Sequence, residues 1–411
     1  MSLTLTVHRG TQQIGGSCIE IAHPDGARLV LDAGRPLDAP AGAQGLLPAS
    51  LDLSRPATVL IGHPHQDHHG LVAELPSDWP VWTGAASAEL IAITGEVSGS
   101  PLDRSLSTWA SRTGPISIGP FTVTRILTDH SAFDAHMLLV EGAGRRILYT
   151  GDFRRHGRKG KLVDALMARP PSDVDVLVIE GTNLGTDKSV ITEDALEHDF
   201  TALFERTAGR VFVAWSGQNV DRTVTLYRAA KRTGRTLVVD LYVADVMDRI
   251  AEGTRLPRPG FPGLQVVVTA GLRGLYAKRG CDSFVARMAR YGVAARAVPS
   301  DAVVMLRRSL IRDYTRAGLT PTSDDAFVHS MWRGYLGTPH HAEPLEWCRT
   351  AGAAVECLHT SGHAGPTDLR AFAAAVAAKA VVPVHGENWD VERKGFGVVR
   401  RLIDGERWAV Q

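Results

Sequence analysis

His63-Pro64-His65-Gln66-Asp67-His68 places four metal-ligand side chains within six residues, directly after the apolar run Thr58-Val59-Leu60-Ile61-Gly62. Side chains alternate in an extended segment, so His63 and His65 project to one side and can chelate a single ion. Asp67 and His68 lie further round the turn and offer a carboxylate and a second imidazole to another ion, with the about 3.5–4 Å separation usual in two-metal sites. Histidines also cluster in tags and on exposed loops. Here the cluster is internal and carries an Asp at a fixed place between imidazoles, so the string predicts a pair of metals and hydrolytic chemistry. It says little about substrate.

The chain has 411 residues, enough for two domains or for one large domain with an insertion. Charged residues are 22% and hydrophobic residues 44%, an ordinary globular composition without a disordered tail. A net charge of +1 excludes a surface that is basic throughout, so any nucleic-acid contact must come from a local patch. Met1 to Val7 alternates like a strand and lacks the features of a signal peptide, and the apolar run Ala371 to Val382 is too short to span a bilayer. A cytoplasmic protein without a membrane anchor is expected. Cys18, Cys281, Cys348 and Cys357 form no CxxC pair, which predicts buried thiols rather than a disulfide framework or a cysteine metal site.

The first part of the chain is strand-rich, with short strands punctuated by Gly, Pro and Asp, and helical patterns such as Ala86 to Thr94 between some of them. After Gly185 the pattern becomes a regular alternation: helix Glu193 to Ala208, strand Arg210 to Trp215, helix Val220 to Thr233, strand Arg235 to Leu241. That alternation predicts βαβ crossovers and a parallel, doubly wound sheet. We therefore read 1–195 as one α/β layer system, 196–345 as an inserted domain, and 346–411 as a segment returning to the first.

One such string cannot fill two metal shells, so a third histidine and a shared carboxylate are needed elsewhere. His130 follows the strand Phe121 to Ile126, and Asp152 follows Leu148-Tyr149-Thr150-Gly151. Each oxygen of Asp152 can take one ion. With these residues the pattern resembles the metallo-β-lactamase superfamily, whose early Asp matches Asp32 in Leu31-Asp32-Ala33-Gly34 and supports the site by hydrogen bonding. Glu180, His363 in Thr360-Ser361-Gly362-His363-Ala364, and His385 in Pro383-Val384-His385-Gly386 resemble motifs A, B and C of its β-CASP branch. The resemblance covers nearly the whole chain. It implies an αββα metallo-β-lactamase sandwich with an inserted β-CASP doubly wound α/β domain.

The resemblance further puts His63, His65 and His130 on one metal, Asp67, His68 and His385 on the other, and Asp152 between them. Zinc is the first choice for so many imidazoles, with manganese as the alternative. Two such ions activate a water for in-line attack on phosphorus. Asp67 is the candidate acceptor of the nucleophile's proton, and His363, oriented by Glu180, the candidate donor to the leaving oxygen. Candidate substrate contacts are Ser361, the run Arg154, Arg155, Arg158 and Lys159 just after Asp152, and Asn219, where a strand opens into a helix. Ser361 reads equally well as a turn residue, Asn219 as a helix cap and the basic run as a solvated face.

Within the branch, His at motif C is typical of RNA-directed members, ribonuclease J among them. A single-stranded RNA substrate, cut internally or from the 5′ end, is therefore expected, with DNA-directed or dual specificity as the alternative and a small-molecule hydrolase as a weaker one. A homodimer is left open. Two features depart from ribonuclease J: the chain leaves no room after motif C for a C-terminal domain, and Asp301 to Arg308 lacks the expected Gly/Ser-rich turn. A shorter ribonuclease J-like protein is the reading that fits.

Overall fold

A computed structural model describes residues 2–110, 113–186, 190–251 and 253–411. They form two compact units, Met1–Val190 with Gly362–Gln411, and Ile191–Ser361.

Among the described residues, the first unit holds a seven-stranded sheet and a six-stranded sheet. Alternation along the strands explains why they stack. Leu29 and Leu31 of Arg28–Leu31, Leu138 and Val140 of His136–Gly142, and Val176 and Val178 of Val176–Ile179 face one shared core between the sheets. The residues between them face outward: Leu139, Leu148 and Leu177 pack against the helices Gly160–Ala168 and Pro366–Val376. Val30, Val59 and Val81 of the other sheet pack against helix Ala85–Ser98. Strands apolar on both faces need cover on both, and burial contributes about 1.5–3 kcal/mol per large aliphatic side chain. The result is the expected αββα sandwich.

The second unit is a parallel sheet whose order is Gly292–Val293, Leu264–Val267, Leu237–Asp240, Val303–Met305, Val211–Ala214, Ala326–His329, Ala354–Cys357. Helices connect most of the consecutive strands, and their starts are fixed chemically: Thr192, Asn219, Asp240 and Thr269 each accept a hydrogen bond from a backbone N–H in the first turn. The return segment was placed at 346 by sequence. Ala354–Cys357 pairs in parallel with Ala326–His329, so this strand completes the second sheet, and the chain rejoins the first unit at Gly362. Helices Arg308–Arg316 and Pro339–Thr350 and the strand Ala326–His329 were not read from the sequence; the second helix carries Pro344 in its interior, an ordinary breaker signal.

Candidate metal centre and active site

Strands of both sheets deliver the candidate residues to one edge of the first unit. His63 and His65 follow Thr58–Leu60, His130 follows Phe121–Leu127, Asp152 follows Arg145–Tyr149, Glu180 follows Val176–Ile179, and His385 follows Ala380–Pro383. Asp67 and His68 ride on the short helix Gln66–His69. That helix is pinned to the neighbouring loop by backbone bonds from Ala33 N to His68 O and from Ser17 N to Asp67 O. Gly34 permits the contact, since a Cβ there would lie 1.8 Å from Asp67 O.

Three overlapping groups of donors result. His63, His65, His130 and Asp152 place a ligand atom each within 4.8 Å of one another, and so do Asp67, His68, Asp152 and His385. Asp152, Glu180, His363 and His385 form the third, and Asp152 belongs to all three. All seven residues named from sequence therefore meet, in the division the resemblance implied. His63 Nε2 and Asp152 Oδ1 are buried without a hydrogen-bond partner, a costly arrangement that bound cations would relieve. Burial, reinforced by neighbouring imidazoles, holds His63 and His130 well below the ordinary histidine pKa, which keeps their rings neutral and their lone pairs free for a metal. Burial raises the Asp152 pKa, but His385, His68 and His363 outweigh it and leave the carboxyl well below its usual range. The neutral rings of His63 and His130 beside an ionised, shared carboxylate fit a divalent metal. Burial opposes a charge on His68, but the Asp152, Asp32 and Asp67 carboxylates outweigh it and raise the His68 pKa well above its usual value, marking a position that favours positive charge.

Supporting contacts orient these donors. Asp32, at a left-handed φ of 63°, accepts from Gly62 N at 2.9 Å and from Tyr149 Oη at 2.6 Å, and its Oδ2 lies 2.8 Å from His68 Nδ1. This turns His68 Nε2 toward Asp152 Oδ2, 3.1 Å away. His385, also left-handed at φ 50°, donates its backbone N–H to Gly10 O, and its ring sits between Thr182 Oγ1 and Asp67 Oδ2 at 2.9 and 3.2 Å. Non-glycine residues in this region carry strain that surrounding contacts must hold. Beside the seven donors, His363 Nδ1 lies 3.0 Å from Glu180 Oε2 and 3.8 Å from Asp152 Oδ2. Burial opposes a charge on His363, but the Glu180 and Asp152 carboxylates prevail and lift its pKa to about 9. Glu180 also accepts from Phe153 N, and Asn183 Nδ2 donates to His363 O, fixing the loop. Tyr149, Thr182 and Asn183 escaped the sequence reading, because a hydroxyl or amide at a strand end has no spacing signal.

The basic run behaves differently. Arg154 is fully buried; its N–H donates to Asp129 O and its Nε lies 3.5 Å from Asp129 Oδ1. It cannot be the surface phosphate grip expected of it. Instead it ties the loop bearing Asp152 to the loop bearing His130. Arg155 is exposed but paired with Asp164 and Asp368, Arg158 is half-buried, and Lys159 Nζ lies 5.5 Å from the centre of the Phe133 ring. Asn219 caps its helix by accepting from Arg222 N at 3.0 Å, and half-buried Ser361 is the last residue of the second unit.

Residues 12–197 match the model of the metallo-beta-lactamase superfamily, and residues 352–391 match that of the Zn-dependent metallo-hydrolase RNA specificity domain. These matches support a place in the metallo-β-lactamase superfamily, in its ribonuclease J-like β-CASP branch. Ribonuclease J 1 of Streptococcus pyogenes is 22% identical over 348 residues, 82% of this chain and 59% of that protein. Ribonuclease J of Sinorhizobium meliloti is 23% identical over 385 residues, 85% of this chain and 62% of that protein. The chain thus spans about three fifths of the length of the curated relatives it matches. A crystal structure of a protein of unknown function from Enterococcus faecalis shares the fold over 100% of both chains, with a TM-score of 0.80 at 18% identity. Among the described residues no helix is long and apolar enough to cross a membrane.

Proposed function

We propose that this superfamily member hydrolyses phosphodiester bonds of single-stranded RNA with a pair of divalent ions, zinc first and manganese as the alternative. The observation that carries the reading is Asp152, shared among all three donor groups and left with a buried, unpartnered oxygen. Such ions supply Lewis acidity toward a phosphoryl oxygen and a nucleophilic water at neutral pH. The side chains do the rest. Asp67, next to His385 and His68, is the acceptor for the proton the nucleophile loses. His363, protonated at neutral pH beside Glu180, donates to the leaving oxygen. Asp32 holds His68 in one orientation throughout.

RNA is chosen over other phosphodiesters because a model named for RNA specificity matches the segment holding His363 and His385, and because the curated relatives carry the name ribonuclease J. The test is incubation of the metal-loaded chain with matched 5′-phosphorylated RNA and DNA labelled at either end. RNA cleavage abolished by Asp152→Ala supports the reading, and the product ladder separates internal cuts from 5′-end degradation. Equal cleavage of DNA replaces RNA specificity with dual specificity, and no cleavage of either polymer overturns it.

A further inference from the structure

In the second unit a cavity of about 260 Å³ opens at the carboxyl ends of the parallel strands. Trp215 follows Val211–Ala214, Tyr242 follows Leu237–Asp240, Arg307 follows Val303–Met305, and Met331 follows Ala326–His329; all four line it, with His340 and His341. Val303–Met305 is inserted between Val211–Ala214 and Leu237–Asp240, so the cavity sits where the strand order reverses, the usual ligand crevice of a doubly wound sheet.

One rim of the cavity is unusually aromatic. Trp332 and Tyr335 are 52% and 46% exposed, large areas for such rings. They meet edge to face with centres 5.4 Å apart, and the Tyr335 ring stacks on His341 at 5.1 Å and 19°. His341 contacts His340 in turn, so the exposed rings run continuously into the cavity wall. Burial and the neighbouring imidazoles hold the His341 pKa below its usual value, which leaves a neutral ring suited to stacking. Gly334 makes the arrangement possible: a Cβ there would lie 2.3–2.5 Å from carbons of the Trp332 ring. The Trp332 ring is thus folded back over its own turn.

Charge says what such a surface suits. No carboxylate occurs between Asp325 and Glu343, whereas Arg333 lies between the two exposed rings in sequence. In the cavity, the Arg307 guanidinium pairs with Asp240 and lies 5.1 Å from the centre of the Tyr242 ring. Flat exposed rings beside arginine, on a segment without a carboxylate of its own, match a polyanion that carries flat rings of its own. We propose that Trp332 and Tyr335 form a stacking platform for unpaired bases of a single-stranded nucleic acid, with Arg333 meeting its phosphates. The choice of ligand rests on the ribonuclease reading above.

The test uses the full chain and needs no turnover. Affinity for a short phosphorothioate-linked oligoadenylate is measured by fluorescence anisotropy beside that for an abasic oligomer of the same length and linkage. Trp332→Ala and Tyr335→Ala each weaken oligoadenylate binding about tenfold and leave the abasic oligomer within about twofold, while Trp332→Phe keeps wild-type affinity. An equal loss on both oligomers, or no loss on either, overturns the platform. Repeating the measurement with oligodeoxyadenylate gives the same losses, since stacking ignores the sugar; losses confined to RNA also overturn it. A chain that shows these losses but cuts no RNA would refute the ribonuclease reading alone, and one that cuts RNA without them would refute the platform alone.

Discussion

Two short stretches of this chain are equally dense in functional-looking side chains, and the structure treats them in opposite ways. His63 to His68 converges with His130, Asp152 and His385 on donors whose valence the protein leaves open, including the buried His63 Nε2 and Asp152 Oδ1. Arg154 to Lys161 follows Asp152 directly, yet Arg154 is closed off by Asp129, and Arg155 by Asp164 and Asp368. Density of chemistry in sequence is therefore a weak guide. What distinguishes a site from a scaffold is whether the protein itself satisfies the groups it gathers.

The comparison breaks most sharply at Asp152. Asp152→Ala removes the one residue common to all three donor groups, and RNA cleavage falls on the order of a thousandfold or more, read as initial rate at saturating metal. His363→Ala leaves the seven donors of the other two groups in place and removes the proton donor, costing about a hundredfold in kcat. Asp32→Ala frees His68 from its orienting carboxylate and weakens metal affinity about 10–100-fold, seen in a competition titration with a chelator.

On the other side of the comparison, Arg154→Met leaves Asp129 buried without its guanidinium and lowers stability by about 3–5 kcal/mol, measured by denaturant melts. RNA affinity then changes only in step with the folded fraction. Arg155→Ala costs below about 1 kcal/mol, because its pairs are solvent-screened. The smallest effect is a titration. His363 has its pKa raised from 6.5 to about 9, so its pairing with Glu180 stabilises the chelator-treated fold fully below pH 6.5 and is lost as pH rises through about 9. Glu180→Gln moves the His363 proton resonance titration back toward the ordinary value and flattens that loss.

The ligand string, the strand-end positions of His130 and Asp152, and the alternation after Gly185 were all legible, since each rests on local spacing that a sequence displays. Resemblance supplied Glu180, His363 and His385, which lie far apart in sequence and meet only through the sheet. Neither route revealed that Gly34 admits the Asp67 backbone, that Tyr149 and Thr182 brace Asp32 and His385, or that Arg154 is internal. Those facts depend on which loops touch, and no periodicity encodes them. The same limit hid the end of the inserted sheet: Ala354–Cys357 is a short strand that looks alike in either unit, and only its pairing with Ala326–His329 assigns it.

The central claim is that seven side chains hold two divalent ions through one shared carboxylate. Metal content per chain, measured by native mass spectrometry on the zinc-loaded protein and on Asp152→Ala, tests it most directly. Two ions are expected on the wild-type chain, and loss of the pair in the variant. A single ion on the wild type, or two retained at unchanged affinity without Asp152, would contradict it.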